Sequence, residues 1–398
     1  MSRPNVARYA NTSCTTGDVR EGRDTPEVSV VIPCLNERPT IAEAVMEAKA
    51  AFTDWPGGVE VIVADNGSTD GSAEAARAVG ARVIPAVERG YGAALQAGFA
   101  ASQAPYIVYA DADLTYDFRE GPTLVRALRT HGADLVVGTR LRVRGQIEPG
   151  AMPLLHRRVG TPVLTALINV LFGGHLTDCN SGFRALRRDR LSAWGASSPG
   201  MEFASELLIN VLQSGAKVVE VPITLRCDRH NRHPHLQTWR DGMRHLLAIL
   251  ARAPGLFLNG ALATVALSAG IAIMCALGPR VVFGRFALFD YHTLIFAVLL
   301  GFLGAQLLGI GLVLQIRQPP LQGVAARLLG LHEGKLFWLL TIIGAGVTCG
   351  VGFVVWVWIS HGFANIGYLK FTLFLLYAAT VIGSLGMSLF HAHLLKRA

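Results

Sequence analysis

Two aspartates flanking one alanine, Asp111 and Asp113, lie within the segment YIVYADADLTYD that runs from Tyr106 to Asp117. The apolar run before them, Tyr106 to Ala110, is bounded by turn-prone residues and reads as a buried strand. In open α/β sheets, ligands gather where strands end. Two carboxylates in such a place suit a divalent cation, because Mg²⁺ and Mn²⁺ take oxygen ligands and bridge carboxylates to substrate phosphates. The competing reading is a solvated Asx-type turn, and these residues alone leave both open. A second polar cluster, Asp65-Asn66-Gly67-Ser68-Thr69-Asp70, follows another β-branched run and offers a ligand both a carboxylate and backbone N–H groups.

The elements that must position these groups follow from patterning. Val28 to Pro33 is a first buried strand, followed by a helix from Thr40 to Phe52 that Thr40 and Glu43 open as a capping box. Val59 to Ala64 is the second strand, Ser72 to Val79 a short helix, and Arg82 to Pro85 a third strand. Arg89-Gly90-Tyr91-Gly92 opens a helix, Ala93 to Ser102, that leads into the strand ending at Asp111. Alternation of this kind predicts a doubly wound α/β sheet with right-handed crossovers, so the polar turns share one edge. Leu135 to Thr139 is a further strand ending at Arg140, with an Arg- and Gly-rich loop over 142–150 beyond it. Residues 152–172 read as a helix of mixed apolar and basic character, suited to a membrane interface or to core packing with a wet face. Thr177 to Arg184 reads as a polar turn, Met201 to Gln213 as a helix, and Val218 to Ile223 as an edge strand because of Pro222.

Composition sets the outer bounds. Among 398 residues, 51% are hydrophobic and 16% charged, with a net charge of +8 and a mean hydropathy of +0.40, more apolar than a soluble globular chain. The excess lies beyond residue 254, where four stretches, 256–278, 291–316, 336–360 and 370–395, are long enough to cross a bilayer. Arg317, Arg327, Lys335, Lys396 and Arg397 fall on one side of these spans and Arg280, Arg285 and Lys370 on the other. The asymmetry predicts an integral membrane protein with its N-terminal domain and both termini in the cytoplasm. The Arg- and His-dense stretch 226–245 reads as a basic juxtamembrane surface, and 236–255 as an amphipathic connector. A basic balance suits anionic partners such as lipid headgroups or nucleotides. No basic run interleaved with aromatics points to nucleic acid. Six scattered cysteines without a CxxC pair argue against a disulfide framework or a zinc site. Residues 1–26 lack the apolar region of a signal peptide and read as a disordered lead-in.

Five segments in this order, VSVVIPCLNE, VIVADNGSTDGS, RGYGAALQAGF, YADADLTYD and TDCNSGFRALRRD, resemble the family 2 glycosyltransferases of GT-A fold. Within them the chain most resembles the dolichol-phosphate mannose synthase-like enzymes, over roughly residues 27–250. The resemblance implies a GT-A domain over 27–235, and the apolar stretches mark a transmembrane domain over 256–398. It implies that Pro33, Asn36, Glu37, Asp65 and Gly67 hold the base and ribose of a nucleotide sugar, with Arg89 and Gly90 close to the nucleotide. Asp113 would bind Mg²⁺ or Mn²⁺ directly, with Asp111 beside it sharing the metal site and facing the ribose or sugar. Where the family often has glutamine two residues after the second acid, this chain has Thr115, which puts the metal preference in question.

The implied acceptor is a polyprenyl or dolichyl phosphate. A lipid phosphate is already an anion, so it needs no general base; it needs cations that bind it and hold it in line. Arg140 and Arg184 are the catalytic arginines on this reading, and Ser181, Arg157 and Arg226 complete the acceptor-phosphate set. Glu202 and Glu206, four residues apart on one helix, supply either a base or support for the arginines. The implied reaction is inverting transfer of a sugar, GDP-mannose by family analogy, with UDP-glucose and UDP-GlcNAc as alternatives. Rival readings are a processive polysaccharide synthase, a transferase with a non-lipid acceptor, and a non-catalytic nucleotide-binding scaffold. In the first case Gln237-Thr238-Trp239-Arg240 has the wrong order for the QxxRW motif of those synthases. Oligomerisation through the transmembrane bundle is compatible with all of them.

Overall fold

β1 (Val28–Cys34) is buried at every position, as a β-branched strand covered on both faces must be. In the computed structural model the described residues are 25–141, 146–228, 238–277, 281–283, 286–288, 291–318, 321, 323–331, 333–360 and 369–397. β1 leads through α1 (Arg38–Ala51) to β2 (Val59–Asp65), then through α2 (Ser72–Ala78) to β3 (Arg82–Pro85), each strand parallel to the last. α3 (Tyr91–Ala101) then carries the chain back to β4 (Tyr106–Tyr109) on the other side of β1. The reversal is a topological switch point, where the carboxyl ends of neighbouring strands leave a crevice. After it come α4 (Gly121–His131), β5 (Leu135–Thr139), β6 (Gln146–Ile147), α5 (Thr161–Phe172), β7 (Arg184–Arg187), α6 (Leu191–Trp194), α7 (Phe203–Gln213), β8 (Val218–Pro222) and β9 (Thr224–Leu225). The described strands form a seven-stranded sheet in the order β3-β2-β1-β4-β7-β5-β8, and β6 pairs with β9 in a separate ladder.

The doubly wound α/β expectation is met, with one strand added. Thr177 to Arg184 is not wholly a turn, because β7 starts at Arg184 and runs antiparallel to both β4 and β5. Its sequence, RALR, hides it: arginines at both ends break the apolar alternation that marks a strand. The inverted direction has a consequence for the site. Parallel strands bring their carboxyl ends to the crevice, whereas β7 brings its amino end, so Ser181 to Arg184 arrive at the same edge. α1 also begins two residues earlier than its capping box implied. Pro39 sits in its first turn, where a fixed φ suits a helix start, and Thr40 hydrogen-bonds back to Glu37 instead of capping.

Arg184 shows how this edge is held. It is fully buried, and its guanidinium donates to the carbonyls of Ser181 (2.9 Å), Ala204 (2.8 Å) and Cys179 (2.8 Å). The three acceptors belong to the loop before β7 and to α7, so one side chain ties both to the sheet.

The described residues divide into two compact units, those within Met1–Thr165 and Leu176–His233 and those within Ala166–His175 and Pro234–Ala398. The second holds α8 (Thr238–Ala251), α9 (Pro254–Leu277), a hairpin of β10 (Val281–Phe283) and β11 (Phe286–Leu288), α10 (Tyr291–Ile316), α11 (Gly323–Leu329), α12 (Glu333–Ser360) and α13 (Leu369–Arg397). Among the described residues three helices are long and apolar enough to cross a membrane: Pro254–Leu277, His292–Ile316 and Phe374–Lys396. The stretch expected as a span at 336–360 lies in α12, whose described part counts as a shorter apolar helix, Gly344–Ser360. Inside this bundle Ser268 donates to the Ala297 carbonyl at 2.6 Å and lies 3.0 Å from the Tyr377 hydroxyl, so the buried polar groups satisfy one another. The lead-in over residues 1–24, residues 142–145 of the Arg- and Gly-rich loop, Arg280 and Arg285 lie outside the described residues. So do residues 229–237 of the basic stretch, with Arg229, His230, Arg232, His233 and His235.

Replacing Arg184 with Met should leave the buried carbonyls of Cys179 and Ser181 without this donor, each at about 1–3 kcal/mol. The variant should unfold at distinctly lower denaturant concentration than wild type, read by circular dichroism in detergent.

Candidate active site

The loops after β1 and β2 are tied together by side chains. Asn36, in the left-handed region at φ +57°, accepts the Thr69 N–H through Oδ1 and gives its own N–H to Ser68 Oγ, both at 2.9 Å. The Glu37 N–H meets Ser72 Oγ at 2.8 Å, and Asp65 accepts from the Ser68 N–H at 3.2 Å. Asn66 then joins a third loop to these two. Its N–H donates to the Cys34 carbonyl (2.8 Å), its Nδ2 to the Glu88 carbonyl (2.7 Å), and its Oδ1 accepts from the Gly90 N–H (2.7 Å). Exposed Arg89 donates to the Asn66 carbonyl at 2.8 Å, and its guanidinium lies 3.0 Å from where a Cβ on Gly67 would sit. Gly90 is required twice over, since its φ is +133° and a Cβ there would meet the Pro199 carbonyl oxygen at 2.2 Å. Pro33, at the end of β1, pairs in register with Ala64. The structure therefore gathers Pro33, Asn36, Glu37, Asp65, Gly67, Arg89 and Gly90 along one edge.

The two acids follow β4 on that edge. Asp111 Oδ1 accepts the Tyr91 hydroxyl at 2.9 Å, and Oδ2 lies 3.0 Å from where a Cβ on Gly182 would be. Asp113 Oδ1 accepts both the N–H (3.0 Å) and the hydroxyl (2.7 Å) of Thr115. Thr115 thus fixes the rotamer of the acid. Between them Leu114 adopts φ +63°, a strained conformation for a branched side chain. Burial, and then the charge of Asp113, push Asp111 up to about 7 against the opposing pull of Tyr91, Arg140 and Arg184. Asp113 is also raised, mainly by burial and in part by the charge of Asp228, while Thr115 works against the shift. Carboxylates whose ionisation is opposed by burial form a donor set that a divalent cation relieves. Among the described residues no group of three or more His, Cys, Asp and Glu is placed to hold an ion. Asp111 and Asp113 are of the type that shares a divalent cation with phosphate and water oxygens.

The arginines separate into different environments. Arg140, after β5, is 9% exposed and forms a bidentate pair with buried Asp178, Nε–Oδ2 2.7 Å and Nη2–Oδ1 2.9 Å. Burial opposes its charge, but Tyr116 and Asp178 outweigh that and raise it above its ordinary range. Its Nη1 lies 3.5 Å from the hydroxyl of Tyr116, which in turn accepts the Gly182 N–H at 2.8 Å. Asp178 is itself held by Glu220 of β8, whose carboxylate accepts the N–H groups of Thr177 (2.8 Å) and Asp178 (3.0 Å). Ser181 is buried beside these, at the amino end of β7. Arg184 turns its donors to backbone carbonyls. Arg226 is 7% exposed and paired with Glu47 of α1 and with Asp117. Arg157 is exposed, on a π-helical turn (His156–Gly160) before α5. Glu206 accepts the Ser198 N–H (2.8 Å) and Glu202 that of Gly200 (3.3 Å), which fixes the loop lying over Gly90 and Gly92.

Asn66, Tyr91, Tyr116, Asp178 and Glu220 do structural work here that the motif reading did not assign. Asp178 and Asn66 lie within the motifs themselves. Glu220 had a signal, a lone charge in an otherwise apolar strand. The two tyrosines also lie within the quoted motifs, but the type and position of an aromatic there do not say that its hydroxyl will meet Asp111 or Gly182.

The model of the family described as Glycosyl transferase family 2 matches residues 29–195. The low-salt glycan biosynthesis hexosyltransferase Agl6 of Haloferax volcanii is 36% identical over 354 residues, which cover 85% of this chain and 82% of that one. The chain is a family 2 glycosyltransferase. The dolichyl-phosphate hexose transferase of Haloferax volcanii is 33% identical over 202 residues, 50% of this chain and 83% of that one. The undecaprenyl-phosphate 4-deoxy-4-formamido-L-arabinose transferase of Klebsiella pneumoniae is 28% identical over 299 residues, 72% and 86% of the two chains. In this glycosyltransferase the family match runs from β1 to the end of α6. It includes both acids, Arg140 and Arg184, and stops short of Arg226.

The raised Asp111 predicts a pH signature for the metal-free glycosyltransferase. Its ionised form is disfavoured by folding, so the destabilisation is complete above about 7 and disappears as pH falls toward the ordinary carboxylate range, ~4. Asp111→Asn should therefore melt above wild type at pH 8 in EDTA, and the gap should close as the pH falls to ~4.

Proposed function

We propose that this glycosyltransferase moves a hexose from a nucleotide sugar to a polyprenyl phosphate at a cytoplasmic membrane face. The observation that carries the proposal is the buried Arg140–Asp178 pair on the same edge as Asp111 and Asp113. It is a preformed cation beside two acids, suited to hold an anionic acceptor near a diphosphate donor. The names of the dolichyl-phosphate and undecaprenyl-phosphate relatives support that acceptor class.

The loops joined by Asn66 hold the nucleotide, with Asp65 accepting from a base N–H and Asn36 and Glu37 flanking it. Asp113 and Asp111 would hold Mg²⁺ or Mn²⁺, which when bound supplies a positive charge for the diphosphate that leaves. Arg140, steadied by Asp178, meets the acceptor phosphate through its Nη1 side. A phosphate oxygen attacks the anomeric carbon as the bond to the diphosphate oxygen breaks, and nucleoside diphosphate departs with inversion. The acceptor is already ionised, so no side chain has to take a proton in this step. Arg184 acts from beneath by fixing the loop that carries Ser181. Arg157, with exposed Leu154, Leu155 and Val159 around it, faces the headgroup region, and the apolar helices anchor the enzyme. Mannose carried by GDP is favoured as the donor sugar by family analogy alone.

Purified protein with Mn²⁺, polyprenyl phosphate and radiolabelled GDP-mannose, UDP-glucose or UDP-GlcNAc should yield a mild-acid-labile labelled lipid from one donor. Asp113→Ala removes several kcal/mol of charge stabilisation and should lower that yield at least about a hundredfold. Product in the aqueous phase alone, from a soluble acceptor, would refute the lipid acceptor.

A further inference from the structure

The ion pairs of Arg226 point to a different task from phosphate binding. Its two terminal nitrogens meet the Glu47 carboxylate at 3.1 and 2.7 Å, and Nη2 lies 2.5 Å from Asp117 Oδ2. Glu47 belongs to α1, and Asp117 caps the turn Phe118–Glu120 by accepting the Arg119 N–H at 3.0 Å. The residue is 7% exposed, and its guanidinium shares both carboxylates with the more exposed Arg119, so a further anion would have to displace one of them.

The backbone of the same residue reaches toward the acids. The Arg226 N–H donates to the Thr115 carbonyl at 2.8 Å, and Leu225 bridges to Tyr116. Thr115 in turn binds Asp113 Oδ1 through both its N–H and its hydroxyl. Between Asp113 and Thr115 stands Leu114 at φ +63°, a conformation that persists only where its surroundings enforce it. Arg226 therefore holds the segment that follows the strained residue at two points, through its main chain at Thr115 and its side chain at Asp117.

We infer that Arg226, locked by Glu47 and Asp117, is a positioning residue that keeps the Leu114 turn strained and so aims the Asp113 carboxylate at the metal. It acts through Thr115 and does not touch substrate. The inference rests on the reading of Asp113 as a metal ligand, and it takes Arg226 out of the acceptor-phosphate set. Outer partners of a metal ligand typically change metal affinity about 10–100-fold when removed.

The test is Mn²⁺ binding to the full-length protein in detergent, followed by loss of the free-ion paramagnetic resonance signal, with the transfer assay run alongside. Arg226→Gln and, separately, Glu47→Gln should each weaken Mn²⁺ binding about 10–100-fold, with the KM for polyprenyl phosphate unchanged. Glu47→Gln keeps the helix and the volume of the side chain, so it reports the clamp where Arg226→Gln fails to fold. Arg226→Lys, with one charge but no fork, should recover part of the affinity. Wild-type affinity for Mn²⁺ in both Gln variants, a raised acceptor KM in Arg226→Gln alone, or no Mn²⁺ bound by wild type would each overturn the inference. If wild type binds Mn²⁺ but transfers no sugar to lipid, the proposed acceptor falls, while the comparison of metal affinities still decides the clamp.

Discussion

Asp111 and Asp113 end the central strand with two carboxylates whose ionised forms are opposed by burial and, for Asp111, by the neighbouring acid. Left alone, such a pair would take up a proton or open to water. The surrounding loops do neither. They hand each acid a donor, Tyr91 to Asp111 and Thr115 to Asp113. That arrangement keeps the acids in place in surroundings that on balance oppose their charge, which a bound cation would relieve. Much of the rest of the edge can be understood as support for it.

The arginines around the acids illustrate how little a cation's sequence position says about its work. Arg140, Arg184 and Arg226 all lie on one edge and are all buried, yet they meet different partners. Arg184 satisfies three carbonyls and holds α7 and the loop before β7 to the sheet. Arg226 satisfies two carboxylates. Arg140 has one carboxylate, Asp178, and keeps one nitrogen with only a long contact to Tyr116. Desolvating a guanidinium is expensive, so the number of fixed acceptors around it decides how much of its donor capacity can still reach a ligand.

The sheet topology explains why these groups meet at all. Parallel strands with right-handed crossovers place the loops after β1, β2, β4 and β5 on one side. Antiparallel β7 adds the segment before it, carrying Asp178 and Ser181, to that same side. A parallel β7 would have sent that segment to the opposite edge and left Arg140 without its partner. Asn66 does a comparable job on the donor side, where its main chain and its side-chain amide together join three loops.

Sequence by itself determined the features that are local. The two acids follow an apolar run, the strand–helix alternation repeats from Val28 to Thr139, and the apolar stretches beyond residue 254 are written in composition. These depend on the neighbours of each residue within a few positions, so periodicity reveals them. What tertiary structure decided is which groups the charged side chains meet. Arg226 and Glu47 are 179 positions apart, and Arg140 and Asp178 are 38 apart. In the sequence a guanidinium destined for a phosphate and one destined for a carboxylate look the same. The difference lies in how many acceptors the fold places within reach before any ligand arrives, and only the packing of distant segments fixes that number.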